Sequence, residues 1–412
     1  MSNAVPPPKA SPARSQPARA GGVVRQATMR RSNLGLVLRE VLSAPHPVSR
    51  ADVAASTGLT RATVSSLVES LLAADLVTEL EPVAPQGAGR PAVPLGPARQ
   101  TVAALGLVVN VDYLGVRALD LAGDVLAERF ETGDFRDSAP APVLSQAAAL
   151  VASVVSDLGD GPRLAGLGIA VPGLVAAGTR RLRIAPNLGW RDVDLGDLLA
   201  GTLLAGLPVE VENEANLAAR AELHARRGDV EDFVYVNGEV GVGGALVQGG
   251  EVFVGPDGGA GEIGHVTVDA AGPECRCGAT GCLEAFAGMD AMRHAAGLPP
   301  DAGITELRER AAAGSGDARS AVDRAGRALG VALASTLNAV AMHRVVLAGN
   351  FAVLADLVRA PVEAELRRRV LLAPWSPPLV EVALVDDHPA VTGAALTALA
   401  GLVADPAAWT DA

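Results

Sequence analysis

All three cysteines of this 412-residue chain, Cys275, Cys277 and Cys282, fall within one short segment, and His265 stands just before them. The segment reads GHVTVDAAGPECRCGATGC, a spacing of H-x9-C-x-C-x4-C. Three thiolates and one imidazole make the closed tetrahedral shell that structural Zn²⁺ prefers, with no open position for catalysis. Gly272, Gly278 and Gly281 allow the backbone to fold round an ion. A disulfide fits less well. A C-x-C pair closes a very small strained ring and leaves a third thiol over. A chain so poor in cysteine also suits a reducing compartment.

The chain is too long for one ordinary domain, so two or three units are expected. Hydrophobic residues make up 49% and aromatics only 3%, so Ala, Val and Leu must fill the cores. No apolar run is expected to reach the ~18 residues of a membrane span. The opening MSNAVPPPKASPARSQPARAGG lacks the apolar core of a signal peptide. Residues 1–30 read as a disordered, Pro/Ala/Arg-rich tail, and a cytoplasmic protein without a membrane partner is expected.

The net charge of -12 is uneven: residues 1–100 carry 11 Lys/Arg against 6 Asp/Glu. A basic first part on an acidic body suggests a polyanionic partner for that part alone. Within 31–97 the pattern is helix, glycine turn, helix. Leu34, Val37, Leu38, Val41 and Leu42 share one helical face. Ser49 is placed to cap the next helix and Gly58 to end it; Thr60 is placed to cap a third. The solvent side of that third helix offers Thr60, Arg61, Thr63, Ser65 and Ser66, which suit phosphate oxygens and major-groove base edges. Leu76–Glu81 and Ala92–Leu95 can pair as a wing, with Arg90 at its tip, where arginine suits a minor groove. A winged helix-turn-helix module, with Ser49 also near its DNA face, is therefore expected to meet a double-stranded DNA operator. A three-helix packing module without DNA is the plainer alternative.

From Thr101 strands and helices alternate, which predicts an α/β body. A strand–strand–strand–helix opening met again around 233–265 suggests two similar lobes with a cleft between them.

The segment AGEIGHVTVDAAGPECRCGATGCLE resembles the signature of the ROK family, named for repressors, open reading frames and kinases. VPGLV (171–175), APNLGW (185–190), VENEANLAARAE (211–222) and GVGGALVQGG (241–250) add to the resemblance, which covers roughly 101–402. It implies an actin-like, ribonuclease H-like two-lobed sugar-kinase fold behind an all-α winged helix-turn-helix domain, a structural zinc, and a homodimer or tetramer. It also implies that Asn187, Asn213, Glu214, Glu262, His265 and Glu284 contact a sugar. The chemistry agrees, because carboxylates and amides answer a ring of hydroxyls that both donate and accept. Zinc on one nitrogen of His265 would leave the other to meet a hydroxyl.

Kinases of this family carry Asp-x-Gly-Gly-Thr after the first strand. Here the stretch is Val108-Val109-Asn110-Val111-Asp112. The magnesium-holding acid becomes Val108, Asn110 and Val111 replace the glycines that let amides approach phosphate, and Asp112 adds a negative charge. The second loop, Gly-Thr-Gly in kinases, is Glu239-Val240-Gly241, and Glu214 stands where the catalytic Asp would be. These departures predict a regulator, most simply a repressor, with a sugar effector and no phosphoryl transfer. An ATP-dependent sugar kinase with an appended DNA-binding head is the alternative, and a zinc-dependent assembly protein without a small ligand is a third.

Overall fold

The computed structural model describes residues 26–81, 93–196, 206–226 and 232–410. The chain opens with a head: α1 (Gln26–Ser43), β1 (Val48–Ser49), α2 (Arg50–Thr57), α3 (Arg61–Ala73), β2 (Val77–Glu79) and β3 (Pro94–Pro97). Helix α1 starts inside the 1–30 stretch expected to be a disordered tail, so helix replaces tail from Gln26 onward. The caps form as the sequence predicts. Ser49 accepts from the Asp52 amide, Asp52 reciprocates in a capping box, Gly58 closes α2 at φ 70°, and Thr60 accepts from the Thr63 amide. Each such cap contributes about 1 kcal/mol. Leu34, Val37, Leu38 and Val41 pack with Val64, Leu67, Val68 and Leu71 from the buried stripe of α3. Besides its helices the head carries a small sheet in the order β1-β3-β2, in which Thr78 faces Gly96. The wing tip with Arg90 lies outside the described residues.

Two five-stranded sheets form the body. The first contains β4 (Val102–Val109), β5 (Tyr113–Asp120), β6 (Val125–Thr132), β7 (Arg163–Val171) and β11 (Val209–Asn213), in the order β11-β7-β4-β5-β6. A side sheet of β8 (Leu174–Val175), β9 (Arg181–Ala185) and β10 (Trp190–Asp194) lies between β7 and β11 in the chain, an excursion that the strand pattern leaves unassigned. The second main sheet contains β12 (Phe233–Gly238), β13 (Val242–Gln248), β14 (Glu251–Phe253), β15 (Arg344–Gly349) and β16 (Leu379–Val382), in the order β14-β13-β12-β15-β16.

The two orders are the same topology used twice. The first strand of each lobe takes an antiparallel hairpin on one side and parallel strands on the other. Every residue of β4 is buried, as a strand covered on both faces must be. The principal helices that follow the head are α4 (Pro140–Leu158), α5 (Glu214–Arg226), α6 (Gly316–Val340), α7 (Ala355–Arg369) and α8 (Pro389–Ala404). Helix α4 packs on β4, β5 and β6, and α8 packs on β4, β5 and β7.

The expectation that no apolar stretch reaches span length needs correcting. Helix α4 is long and apolar enough by composition. Val143, Leu144, Ala147, Leu150, Val151 and Val154 are buried in the core of the first lobe, which accounts for its apolarity.

Head and body share one core. Leu34, Val37 and Leu38 belong to the same buried cluster as Val102, Ala104, Leu119, Leu399 and Leu402. Arg31 pairs with Asp405, Thr101 donates to the Asp75 carbonyl at 2.7 Å, and the Arg163 guanidinium sits 4.7 Å from the Trp409 ring centre.

Candidate functional site

Strands β4, β7, β11 and β12 all end at the cleft between the lobes, the position where α/β sheets present ligand-binding loops. Asn110 follows β4, Pro172 and Gly173 follow β7, Glu214 opens α5 after β11, and Glu239 follows β12. Glu262 and His265 come from the 3₁₀ turn at Ile263–His265, Glu284 from the short helix Glu284–Ala287, and Asn187 from the β9–β10 turn. The resulting cavity has a volume of about 60 Å³. All six residues that the resemblance implies, Asn187, Asn213, Glu214, Glu262, His265 and Glu284, line it.

Their bonding differs. Asn213 is committed: its Nδ2 donates to the Gly173 carbonyl at 2.8 Å, and its Oδ1 accepts from the amides of Ala215 and Asn216. It positions the Pro172–Gly173 turn and the start of α5. Glu284 accepts from the Val242 amide at 3.0 Å through one oxygen. Glu262 approaches Nε2 of His265 at 4.0 Å, and burial raises its carboxyl above the ordinary range.

Next to this cavity His265, Cys275, Cys277 and Cys282 converge, their ligand atoms all within 4.8 Å of one another. Nδ1 of His265 faces Sγ of Cys275 at 3.9 Å, and the sulfurs of Cys277 and Cys282 are 3.8 Å apart. Sulfurs of a tetrahedral thiolate shell with Zn–S of ~2.3 Å lie ~3.8 Å apart, so the donor set fits a metal ion. Gly281 makes the tight return possible. Its φ is 74°, and a Cβ there would meet the Asp269 carbonyl oxygen at 1.6 Å. One imidazole nitrogen thus faces the sulfurs and the other the cavity.

The phosphate-loop positions are filled. Val108 is fully buried in the core beneath the cleft. The Asn110 side chain accepts from the Val111 amide at 2.6 Å, an amide that a glycine loop would leave open. Its Nδ2 donates both to Glu214 at 2.9 Å and to Glu239 at 2.5 Å. Asn237 donates to the other Glu239 oxygen at 2.9 Å. Burial, and then the Glu239 carboxylate, push Glu214 well above the ordinary carboxylate range. Burial also raises Glu239, against the amides of Asn237 and Asn110, which favour its charged form. The pair thus favours holding a proton. Sequence reasoning finds each of these residues as a departure from a phosphate loop. It has no signal for their joining into one bonded group.

In the head, Thr60, Arg61 and Ser66 are exposed at the start of α3, and Thr63 and Ser65 are half-buried. Ser49 is held in its capping box, where it accepts from the Asp52 amide and donates to the Asp52 carboxylate.

Residues 112–400 match the ROK family. A putative xylose repressor of Caldicellulosiruptor sp. (strain Rt8B.4) is 27% identical over 396 residues, covering 92% of this chain and 98% of its own length. A glucokinase of Halalkalibacterium halodurans is 32% identical over 285 residues, covering 61% of this chain and 84% of its own. Among solved structures, a ROK family transcriptional regulator homologous to the Escherichia coli Mlc protein superposes with a TM-score of 0.77 at 24% identity, covering 93% of this chain and 99% of that one. The repressor match runs through head and body alike, whereas the kinase match covers much less of the chain. Fold, site and family match agree: this chain belongs to the ROK family.

Proposed function

We propose that the protein is a transcriptional repressor whose hold on DNA is controlled by a sugar bound in the cleft. The observation that carries this reading is the shared core: the helix-turn-helix head and the cavity-bearing body are one packed unit, with α1 and α8 in the same buried cluster. The near full-length likeness to a putative xylose repressor supports it.

The packing supplies a route between the two sites. Glu214 begins α5 at the cavity. Helix α5 lies so close to α8 that a Cβ on Gly393 would come within 1.7 Å of the Leu217 carbonyl oxygen. Helix α8, 16 residues long, spans about 24 Å at ~1.5 Å per residue. At its far end Leu399 and Leu402 pack with the head. A sugar that binds one lobe arrangement more tightly than the other shifts α5, α8 and then α1; a sugar indifferent to the two shifts nothing.

On this reading α3 enters a major groove with Arg61 at its tip, and Arg90 is the candidate for a minor-groove contact. Two heads of a homodimer meet half-sites ~34 Å apart. Leu371, Leu372 and Trp375, exposed at 82%, 52% and 79%, are the apolar surface that supports self-association. The His265/Cys275/Cys277/Cys282 set holds a structural zinc. The ion's part is to fix the loop that carries His265 and the start of the helix that carries Glu284. Asn187, Asn213, Glu214, Glu262, His265 and Glu284 bind or position the sugar. The filled phosphate loops make this a sensor without kinase activity. It acts in the cytoplasm.

The test is operator binding by the full chain, with and without D-xylose as the first sugar probe. Arg61→Ala is expected to weaken operator binding by about 10- to 100-fold, the worth of one base-reading arginine, with an unchanged melting temperature. Unaltered operator affinity in that variant, or operator affinity indifferent to a broad sugar panel, contradicts the reading.

A further inference from the structure

A second cavity, of about 200 Å³, lies between the β8–β9 turn, β11, α5 and β14. Its walls come from both lobes: Ala177 and Thr179 of the β8–β9 turn, Glu212 on β11, Asn216 and Arg220 on α5, and Val252 on β14. Asn213 alone lines both this cavity and the first.

Three residues of this wall each carry a buried polar atom with no hydrogen-bond partner: Oε1 of Glu212, Oδ1 of Asn216 and Nε of Arg220. Asn216 is only 2% exposed. Glu212 and Arg220 satisfy each other in part, through Oε2 and Nη2 at 3.2 Å. Asn216 is held in place by its amide, which donates to Asn213. Native proteins rarely leave such groups unpaired, since a buried polar group has given up its water and gained nothing in return. Three on the wall of one cavity call for a guest that supplies the missing partners.

The unpaired set defines the guest. Two acceptors need O–H or N–H donors, and one N–H needs a lone pair. Adjacent hydroxyls supply both, since each donates once and accepts twice. The Glu212–Arg220 pair is charge-balanced and Glu210 adds a carboxylate to the lining, so a neutral molecule suits the wall better than an anion. A single water needs only ~10–15 Å³ of such space, so the cavity has room for a short polyol.

We propose that this cavity is a second binding site, specific for a small neutral polyol with adjacent hydroxyls. The guest contacts β11 and α5 of one lobe and the β14 region of the other, so its binding braces the lobes against each other. The proposal does not depend on the operator reading, because it concerns binding to the body alone.

The experiment is calorimetry on the full chain with xylitol as probe, on wild type, Asn216→Leu, Arg220→Met and Glu284→Gln. Wild type is expected to bind xylitol. Asn216→Leu and Arg220→Met each bind it at least about tenfold more weakly, the factor one such hydrogen bond is worth. Glu284→Gln, in the first cavity, leaves xylitol binding as in wild type. If Asn216→Leu does not fold, Arg220→Met carries the same comparison, with melting temperatures as the check on folding. No heat with wild type at tens of millimolar xylitol means that ordered water alone fills the cavity, and overturns the proposal. Loss in Glu284→Gln with binding retained in Arg220→Met places the xylitol in the first cavity, and also overturns it.

Discussion

The central cleft has two neighbouring halves with opposite chemistry. One holds Asn187, Glu262, His265 and Glu284 around a cavity, beside the three cysteines. The other, lining the same cavity, holds Asn110, Glu214 and Glu239, whose side chains bond to one another. In the first half, polar groups keep capacity for a guest. In the second they are spent on each other: the Asn110 oxygen takes a loop amide and its nitrogen is shared by two carboxylates.

The largest effect is expected from Cys277→Ser or from chelation. Removing one ligand of the proposed zinc site should release the ion and cost several kcal/mol of stability, together with the whole sugar response. Metal analysis and a thermal melt read this directly, and metal-free wild-type protein with an intact sugar response would refute it. Next is Glu284→Gln. Its carboxylate holds the Val242 amide and faces the cavity, so a loss of about 1.5–3 kcal/mol in sugar affinity is expected by calorimetry, while the fold persists.

On the other half of the cleft, millimolar ATP with magnesium should leave the melting temperature unchanged, with no ATP-dependent phosphorylation of a sugar panel. Turnover would show that the phosphate half is intact in function.

The smallest effect is a pH dependence. Glu214 and Glu239 have folded-state pKa values above their unfolded ones. Between the two values the folded protein holds the extra proton, so stability falls as pH rises through that window and stays lowered above it. Glu214→Gln removes one of the two like charges and keeps an acceptor for Asn110. It should raise the melting temperature at pH 8 and lose that gain as pH falls toward the ordinary glutamate range. A gain that does not vary with pH would mean that the pair is not coupled.

Much of this was readable residue by residue. The H-x9-C-x-C-x4-C spacing describes a cluster that does assemble, because ligands so near in sequence need only local turns to meet. Ser49, Gly58 and Thr60 mark helix ends by bonds reaching only a few residues. Helix α7 shows the limit of local patterns. Pro361 sits inside it, yet the helix continues, with Val358 and Val362 fully buried in the core of the second lobe.

Chain order and side-chain type determined the strands of the two main sheets, the caps, the cysteine cluster and the replaced glycines, but not the β8–β10 excursion. Tertiary structure alone decided that Asn110 joins Glu214, 104 positions away, to Glu239, 129 positions away. It alone fused the head to α8, and it alone set β14 of the other lobe against Glu212, Asn216 and Arg220 to form a second cavity. The reason is physical. Periodicity and capping act through the covalent chain over a few residues, whereas a contact across the cleft exists only after both lobes have folded and their strand ends face each other.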